Sequence, residues 1–260
     1  MIEITTTQLY NGVSGFYWPM TRILGVFSSA PFLSNNSIPI RIRVALGFAI
    51  TLLIAPSLPP FAEQDPMSYA GILILIQQFI IGVSIGFVLR IIFTGVELAG
   101  EMMSMSMGLG FATFFDPQSK GRSSSISQFL SLLLLQMFLA CDLHLLLIDS
   151  LVGSFTSLPI GRGTMGAPGF QQLAYWGARI FSIGLQLSMP VVTALLITNM
   201  ALGVLTRAAP QLNLFGIGFP LTLVVGYSMI YFILPYLTTP MLNMLNESMQ
   251  MLRQITRVVP

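Results

Sequence analysis

Charge is what this sequence most lacks. Asp, Glu, Lys and Arg make up 8% of its 260 residues, against roughly 25% in an ordinary soluble domain. The apolar set reaches 54% and mean hydropathy is +0.82. So few charges cannot solvate the surface of a 28.4 kDa globule, and a water-soluble monomer is not expected. A disordered chain needs the opposite composition. Basic residues exceed acidic ones by only two and are scattered rather than clustered, so nucleic acid is not an expected partner. There is one cysteine, Cys141, which excludes an internal disulfide and a multi-thiolate metal site. There is one histidine, His144, which excludes a His-pair metal motif. The only lysine, Lys120, lies in a Ser/Gly-rich turn rather than a phosphate-binding loop. Neither G-x-S-x-G nor H-E-x-x-H occurs. These gaps argue against an enzyme and against a bound metal or cofactor. The first ten residues carry Glu3 and no base, unlike the basic start of a secretory signal, and read as mature protein.

What the sequence has instead is long uncharged runs, at 4–21, 23–40, 44–62, 67–89, 123–141, 180–206 and 208–246. A helix that spans a bilayer needs about 20 mostly apolar residues. Proline and polar clusters divide the runs into six apolar helical segments, 8–30, 40–56, 67–107, 125–155, 170–205 and 213–252. The expected fold is all-α, one helical unit of long, kinked apolar helices. The third segment would be roughly 60 Å long at 1.5 Å per residue, about twice the hydrocarbon thickness. Its Gly82, Gly86, Gly95 and Gly100 suggest a bend. Pro190 and Pro235 are expected to kink or split the last two segments. Loop charges alternate sides as far as Lys120 and Arg122, and Arg253 and Arg257 then contradict a simple row of six spans.

Four groups of residues stand out. Arg90, Glu97 and Glu101, spaced by seven and four, share a helical face. Ionisable groups at membrane depth face protein or water. Either they line an ion or proton path, or they form a buried cluster that fixes how helices dock. Asp142, His144 and Asp149 do not share a face and read as polar groups near a helix end. The stretch 101–117 is the most unusual: Met102, Met103, Met105 and Met107 precede Gly108 and Gly110, then Phe111, Phe114 and Phe115, and Asp116-Pro117 closes it as a turn. Adaptable methionines, loosened glycines and bulky aromatics suit a gate or gasket. A static buried loop has the same composition. Finally, Arg207 sits near a helix C-terminus, where it complements the dipole, and Pro210, Gln211 and Asn213 come next as a hairpin turn.

The segments 29–33, 39–46, 55–59, 77–87, 99–101, 107–117, 157–161 and 207–223 together resemble the FliR/SctT family of type III secretion export-gate proteins. The most specific are Gly110-Phe-Ala-Thr-Phe-Phe-Asp-Pro117 and Arg207-Ala-Ala-Pro-Gln-Leu-Asn-Leu-Phe-Gly-Ile-Gly-Phe-Pro220. The resemblance implies a non-enzymatic core subunit of the bacterial flagellar export gate, in the inner membrane at the basal body. It implies a FliP-like part, about 1–200, and a FliQ-like hairpin, about 201–260, within one export-gate domain. It implies a helical hetero-oligomer with FliP and FliQ, raised towards the periplasm, working with FlhA and FlhB on unfolded rod, hook and filament subunits in a lipid setting. It also implies that the loop from Met107 to Pro117, or on to Arg122, plugs the channel, with Met105, Met107, Gly108, Gly110, Phe111, Phe114, Phe115, Asp116 and Pro117 as plug or gate residues. Arg90, Glu97, Glu101 and Arg207 are expected to be buried charges at helix docking or subunit contacts. The alternative is a stand-alone ion-coupled secondary transporter, with Arg90, Glu97, Glu101 and Asp142 as ion ligands; no inverted repeat supports it. The tail from Met249 matches no motif.

Overall fold

The structure, a computed structural model, describes residues 6–34, 38–58, 67–111, 124–161, 165–209 and 214–256. Every regular element among them is helical, as expected: α1 (Thr6–Ser29), α2 (Ile40–Ile54), α3 (Tyr69–Ser106), α4 (Ser125–Ala140), α5 (Leu143–Ser157), α6 (Ala167–Gly177), α7 (Arg179–Ala208) and α8 (Phe219–Thr256). Short turns at Ala55–Ser57, Leu109–Phe111 and Leu214–Gly218 extend three of the ends.

The helices depart from the sequence expectation in several places. The third segment forms one helix of 38 residues that continues through all four glycines. Pro190 and Pro235 lie inside α7 and α8 without splitting them. The break falls in the fourth segment instead, where α4 and α5 are bent by 70°. There Asp142 takes a left-handed φ of 54°, a conformation that short polar side chains tolerate better than most. Among the described residues, four stretches are long and apolar enough to cross a membrane, Ile40–Ser57, Tyr69–Ser106, Ala167–Ala208 and Gly216–Thr256, and the bent pair α4–α5 would be a fifth. Helix α1 is not among them, because Thr6, Gln8, Asn11, Ser14, Thr21 and Arg22 interrupt its apolar residues.

The chain divides into two compact units: Met1–Ile91 with Leu139–Gly177 and Asn246–Pro260, and Ile92–Phe138 with Ala178–Leu245. In the first, α1 and α3 meet through small residues four apart on each helix, Gly25 and Ser29 against Gly82 and Gly86. A Cβ at Gly25 would lie 2.6 Å from the Phe79 carbonyl oxygen, and one at Gly82 would overlap the Arg22 carbonyl oxygen. This spacing lets apolar helices approach backbone to backbone, where dispersion and short polar contacts replace the hydrophobic drive. Ser29 Oγ adds a bond across the contact to the Val83 carbonyl at 3.0 Å.

Arg22 joins a third helix to that pair. It is 0% exposed. Its Nε and Nη2 donate to Gln78 Oε1 of α3 at 2.8 and 2.5 Å. Nη1 donates to the carbonyl and the hydroxyl of Ser154 at 2.7 and 3.0 Å, and Nη2 donates to the Leu158 carbonyl at 2.8 Å. Ser154 and Leu158 belong to the last turn and cap of α5, where the dipole favours a cation, and the Ser154 carbonyl accepts from the guanidinium in addition to the Leu158 N–H at 2.9 Å. All five N–H groups of the guanidinium are thereby used, and its face lies 4.2 Å from the Phe155 ring centroid. Trp176 Nε1 of α6 donates to the Val88 carbonyl of α3 at 3.2 Å. The α8 end, which matches no motif in the sequence, also belongs to this unit, with Met249, Leu252 and Ile255 buried.

The second unit repeats the close-packing device. A Cβ at Gly95 would lie 2.8 Å from Ile183 Cβ, and one at Gly184 would lie 2.8 Å from Leu98 Cδ2. Phe93 and Phe138 meet edge to face at 6.4 Å.

Two substitutions test this packing. Gly82→Leu is expected to lower stability by about 3 kcal/mol, the upper range for overpacking a filled contact. Gly153→Ala, at an α5 position with nothing within 4 Å, should gain up to ~1 kcal/mol from helix propensity. Thermal unfolding of the detergent-extracted protein reads both, and equal melting temperatures would contradict the packing account. Arg22→Leu strips donors from Gln78, Ser154 and Leu158, at ~1–3 kcal/mol for each buried group left unpaired. An unchanged melting temperature would remove Arg22 as the link between α1, α3 and α5.

Candidate functional site

The residues singled out from the sequence cluster on the second half of α3 and on the turn at its C-terminal end. Glu97 and Glu101 take their hydrogen bonds from serines of α4. The Ser124 backbone N–H donates to Glu101 Oε2 at 3.1 Å, and Ser127 Oγ lies 3.1 Å from the same oxygen and 2.8 Å from the Glu97 carbonyl oxygen. Ser131 Oγ donates to Glu97 Oε1 at 3.2 Å. Ser124 caps α4, its Oγ accepting the Ser127 N–H at 3.2 Å. A carboxylate at that helix start meets orphan N–H groups and the positive end of the dipole. Gly100 allows the approach, since a Cβ there would stand 2.6 Å from the Ser127 nitrogen.

Burial separates these charges. Glu101 is half-buried, whereas Arg90, Glu97 and Arg207 are exposed in the single chain. Among the described residues, the fully buried cation is Arg22. Arg90 donates to Ser34 Oγ at 3.4 Å, and Arg207 lies in the last turn of α7. Asp142 and Asp149 are exposed and His144 is half-buried.

The methionine stretch ends α3. Met103 and Met107 are buried, and Met105 is 67% exposed. The Met107 N–H still donates to the Met103 carbonyl at 3.0 Å, and the next N–H, from Gly108, reaches the Met105 carbonyl at 3.0 Å. Gly108 then turns left-handed with φ 85°, the usual way for a glycine to end a helix. Leu109–Phe111 form a single 3-10 turn directly after it. Gly108 and Gly110 are half-buried. Phe114, Phe115, Asp116 and Pro117 lie outside the described residues.

The end of α3 is seated on α8. Thr222 Oγ1 donates to the Met107 carbonyl at 3.2 Å. The Met107 side chain lies over Gly226: a Cβ there would stand 2.6 Å from Cγ and 2.7 Å from both Sδ and Cε. Further back along α3, Ser188 Oγ of α7 lies 3.6 Å from Met102 Sδ. Thr222, Gly226 and Ser127 carry no signal in the sequence that marks them out. Gly226 is visible there only as a small residue among bulky neighbours, and nothing local says which side chain fills its notch.

Replacing Glu101 by alanine removes the acceptor of two α4 groups and is expected to cost ~1–2 kcal/mol, the range of a lost helix cap. Glu97→Ala, at an exposed position, should cost less than ~0.5 kcal/mol. Chemical denaturation of the two variants checks the order, and an equal or reversed order would contradict the α4 docking role of Glu101.

Comparison with known proteins shows the family. The family described as Bacterial export proteins, family 1, matches residues 13–248. The flagellar biosynthetic protein FliR of Escherichia coli (strain K12) is 39% identical over 261 residues, covering 100% of this chain and 99% of its own length. The FliR of Pectobacterium carotovorum subsp. carotovorum is 40% identical over 256 residues, covering 98% and 97%. The FliR of Bacillus subtilis (strain 168) is 26% identical over 244 residues, covering 92% and 93%.

Proposed function

The chain belongs to the FliR family of bacterial export proteins, and from that premise we propose that it is a non-enzymatic core subunit of the flagellar type III export gate. It assembles with FliP- and FliQ-type subunits around a channel in the inner membrane at the flagellar basal body. FlhA- and FlhB-type components deliver unfolded rod, hook and filament subunits to it. The loop from Met107 to Pro117 closes that channel between substrates. Arg90 and Arg207, exposed on the single chain, serve subunit contacts, and Glu101 serves the docking of α4. The N-terminal part, about 1–200, is FliP-like, and the last part, about 201–260, is FliQ-like.

One observation carries the gate assignment. A buried helix end at Met107 leads at once into a left-handed glycine, with a second glycine two residues on. A closing element needs both properties, a fixed root and a backbone that can leave it. The side chains suit the task. Methionine and phenylalanine present an apolar plug that water and ions wet poorly, the means by which hydrophobic constrictions close pores. Methionine is also flexible enough to reseat after chains of varied sequence have passed. The exposed apolar faces of α2, α7 and α8, with Leu53, Val204 and Tyr236 among them, are larger than a solitary soluble protein carries and suit burial against other subunits or lipid.

Removing residues 110–115 from the chain, expressed with its neighbouring genes, tests the reading. The complex is expected to assemble and to conduct small ions in a planar bilayer far above the parent. Parent conductance from an assembled deletion complex would sink the gate assignment. Native mass spectrometry of the gently extracted parent should find one copy within a larger hetero-oligomer, and a partnerless monomer would sink the core-subunit assignment.

A further inference from the structure

In the first unit, the exposed apolar surfaces of α2 and of the first half of α3 have the same length, and basic residues mark their ends. Helix α2 buries Gly47, Thr51 and Ile54, a narrow face. A Cβ at Gly47 would lie 2.9 Å from Leu24 Cδ2 of α1, and Phe48 meets Phe16 at 4.9 Å. Most of the remaining circumference is open, with Leu52 and Leu53 exposed. On α3, exposed apolar residues follow one stripe through Ile72, Ile76, Phe79 and Phe87, and Arg90 is its next position.

At 1.5 Å per residue, α3 rises about 29 Å from Tyr69 to Val88, and α2 with its closing turn, Ile40–Ser57, is roughly as long. The hydrocarbon core of a bilayer is ~30 Å thick. Hydroxyls within these stretches bond back to their own helices, Thr51 Oγ1 to the Gly47 carbonyl at 2.6 Å and Ser84 Oγ to the Ile80 carbonyl at 2.8 Å, as an apolar phase without other partners requires. The ends carry interfacial residues. Tyr69 is exposed at one end of the α3 stretch. At the other, Trp176 Nε1 reaches the Val88 carbonyl at 3.2 Å, and its neighbour Tyr175 is exposed. Aromatic rings with a polar tip gather at headgroup level. Across residues 23–62 and 66–96 the charged residues are Arg41, Arg43 and Arg90, all basic. Arg41 lies exposed in the first turn of α2, and Arg90 donates to Ser34 Oγ in the turn that follows α1.

We propose that Ile40–Ser57 and Tyr69–Val88 are the lipid-facing surface of this chain, and that Arg41 holds an anionic phospholipid headgroup at its edge. A bilayer is apolar over this length and anionic at its margin, whereas a protein partner imposes no such fixed length. The inference rests on the inner-membrane setting of the proposed function and is independent of the 107–117 closure. It puts the hydrocarbon boundary of α3 between Val88 and Arg90. The rest of this 38-residue helix, with Glu97 and Glu101, leaves the hydrocarbon. Arg90 stands where lipid gives way to the subunit contacts proposed for it.

Nitroxide labels separate the candidate occupants. Leu53→Cys and Ile76→Cys, each in a Cys141→Ser background because Cys141 is exposed, carry the label in the complex reconstituted into vesicles of equal parts phosphatidylglycerol and phosphatidylcholine. Power saturation is expected to show each label relaxed strongly by dissolved oxygen and weakly by a water-soluble nickel chelate, the pattern of a side chain in lipid. A label shielded from both lies under a protein subunit, which would overturn the lipid face and leave the core-subunit assignment standing. A label relaxed by the nickel chelate faces water and would overturn the lipid face as well. Lipid-phase labels on a chain that native mass spectrometry finds without partners would remove the core-subunit assignment alone.

Native mass spectrometry of the complex released from the same vesicles reads the headgroup. The parent is expected to retain phosphatidylglycerol in preference to phosphatidylcholine. Arg41→Gln should lower that ratio about fivefold, the equivalent of ~1 kcal/mol for one arginine near an anionic surface, and Arg41→Lys should keep it. A ratio unchanged by Arg41→Gln would overturn the headgroup assignment.

Discussion

Arg22 carries a positive charge at a position with no exposure to solvent, and the acceptors that hold it are neutral. Burying a cation is costly unless every donor is met. Here a glutamine oxygen, a serine hydroxyl and two carbonyls at the end of α5 meet all five N–H groups, and an aromatic face covers the plane. The arrangement works only with α1, α3 and α5 in one relative position. The guanidinium therefore sets where α5 ends and which face α3 turns towards α1. Gln78 has no alternative orientation, because its oxygen must face the arginine.

Glycine does the complementary work. In a chain this apolar, hydrophobic burial discriminates poorly among helix faces, since nearly every face is apolar. Shape has to discriminate instead. Gly25, Gly82 and Gly86 allow α1 and α3 to touch along their backbones in the first unit; in the second, Gly100 meets the α4 backbone at Ser127, and Gly95 and Gly184 make room for the side chains of Ile183 and Leu98. The same logic at Gly226 makes a notch for one methionine. The helix of 38 residues remains unbroken through glycines that make these contacts.

The end of α3 sets seated and unseated residues a few positions apart. Met103 and Met107 are buried while Met105 is not. Glu101 meets the start of α4, and Glu97 lies exposed on the same face of α3. An export gate needs a channel wall that holds and a closure that yields. On the proposed reading both begin in one stretch of α3, with side-chain size and backbone freedom separating the two.

Local sequence determined a good deal. The scarcity of charge and the long apolar runs dictated helices and a membrane setting. The helix ends near Pro31, Gly108 and Pro210 were visible as breaker residues, and the ordered motifs carried the family. The methionine–glycine–phenylalanine order singled out the stretch proposed as the closing loop. Only the tertiary structure decided which partners the charges take. Spacing put Arg90, Glu97 and Glu101 on one face of α3 but named no partners; the serines at the start of α4 hold the two glutamates and Ser34 takes Arg90. It decided that a 70° break falls at Asp142, that the unassigned α8 end joins the first unit, and that Arg22 is fully buried. The physical reason is the same in each case. Periodicity and breaker residues report forces between neighbours in sequence, whereas Arg22 meets a residue 132 positions away and Thr222 one 115 positions away. Contacts of that range depend on which surfaces fit, and an almost uniformly apolar sequence does not spell that out.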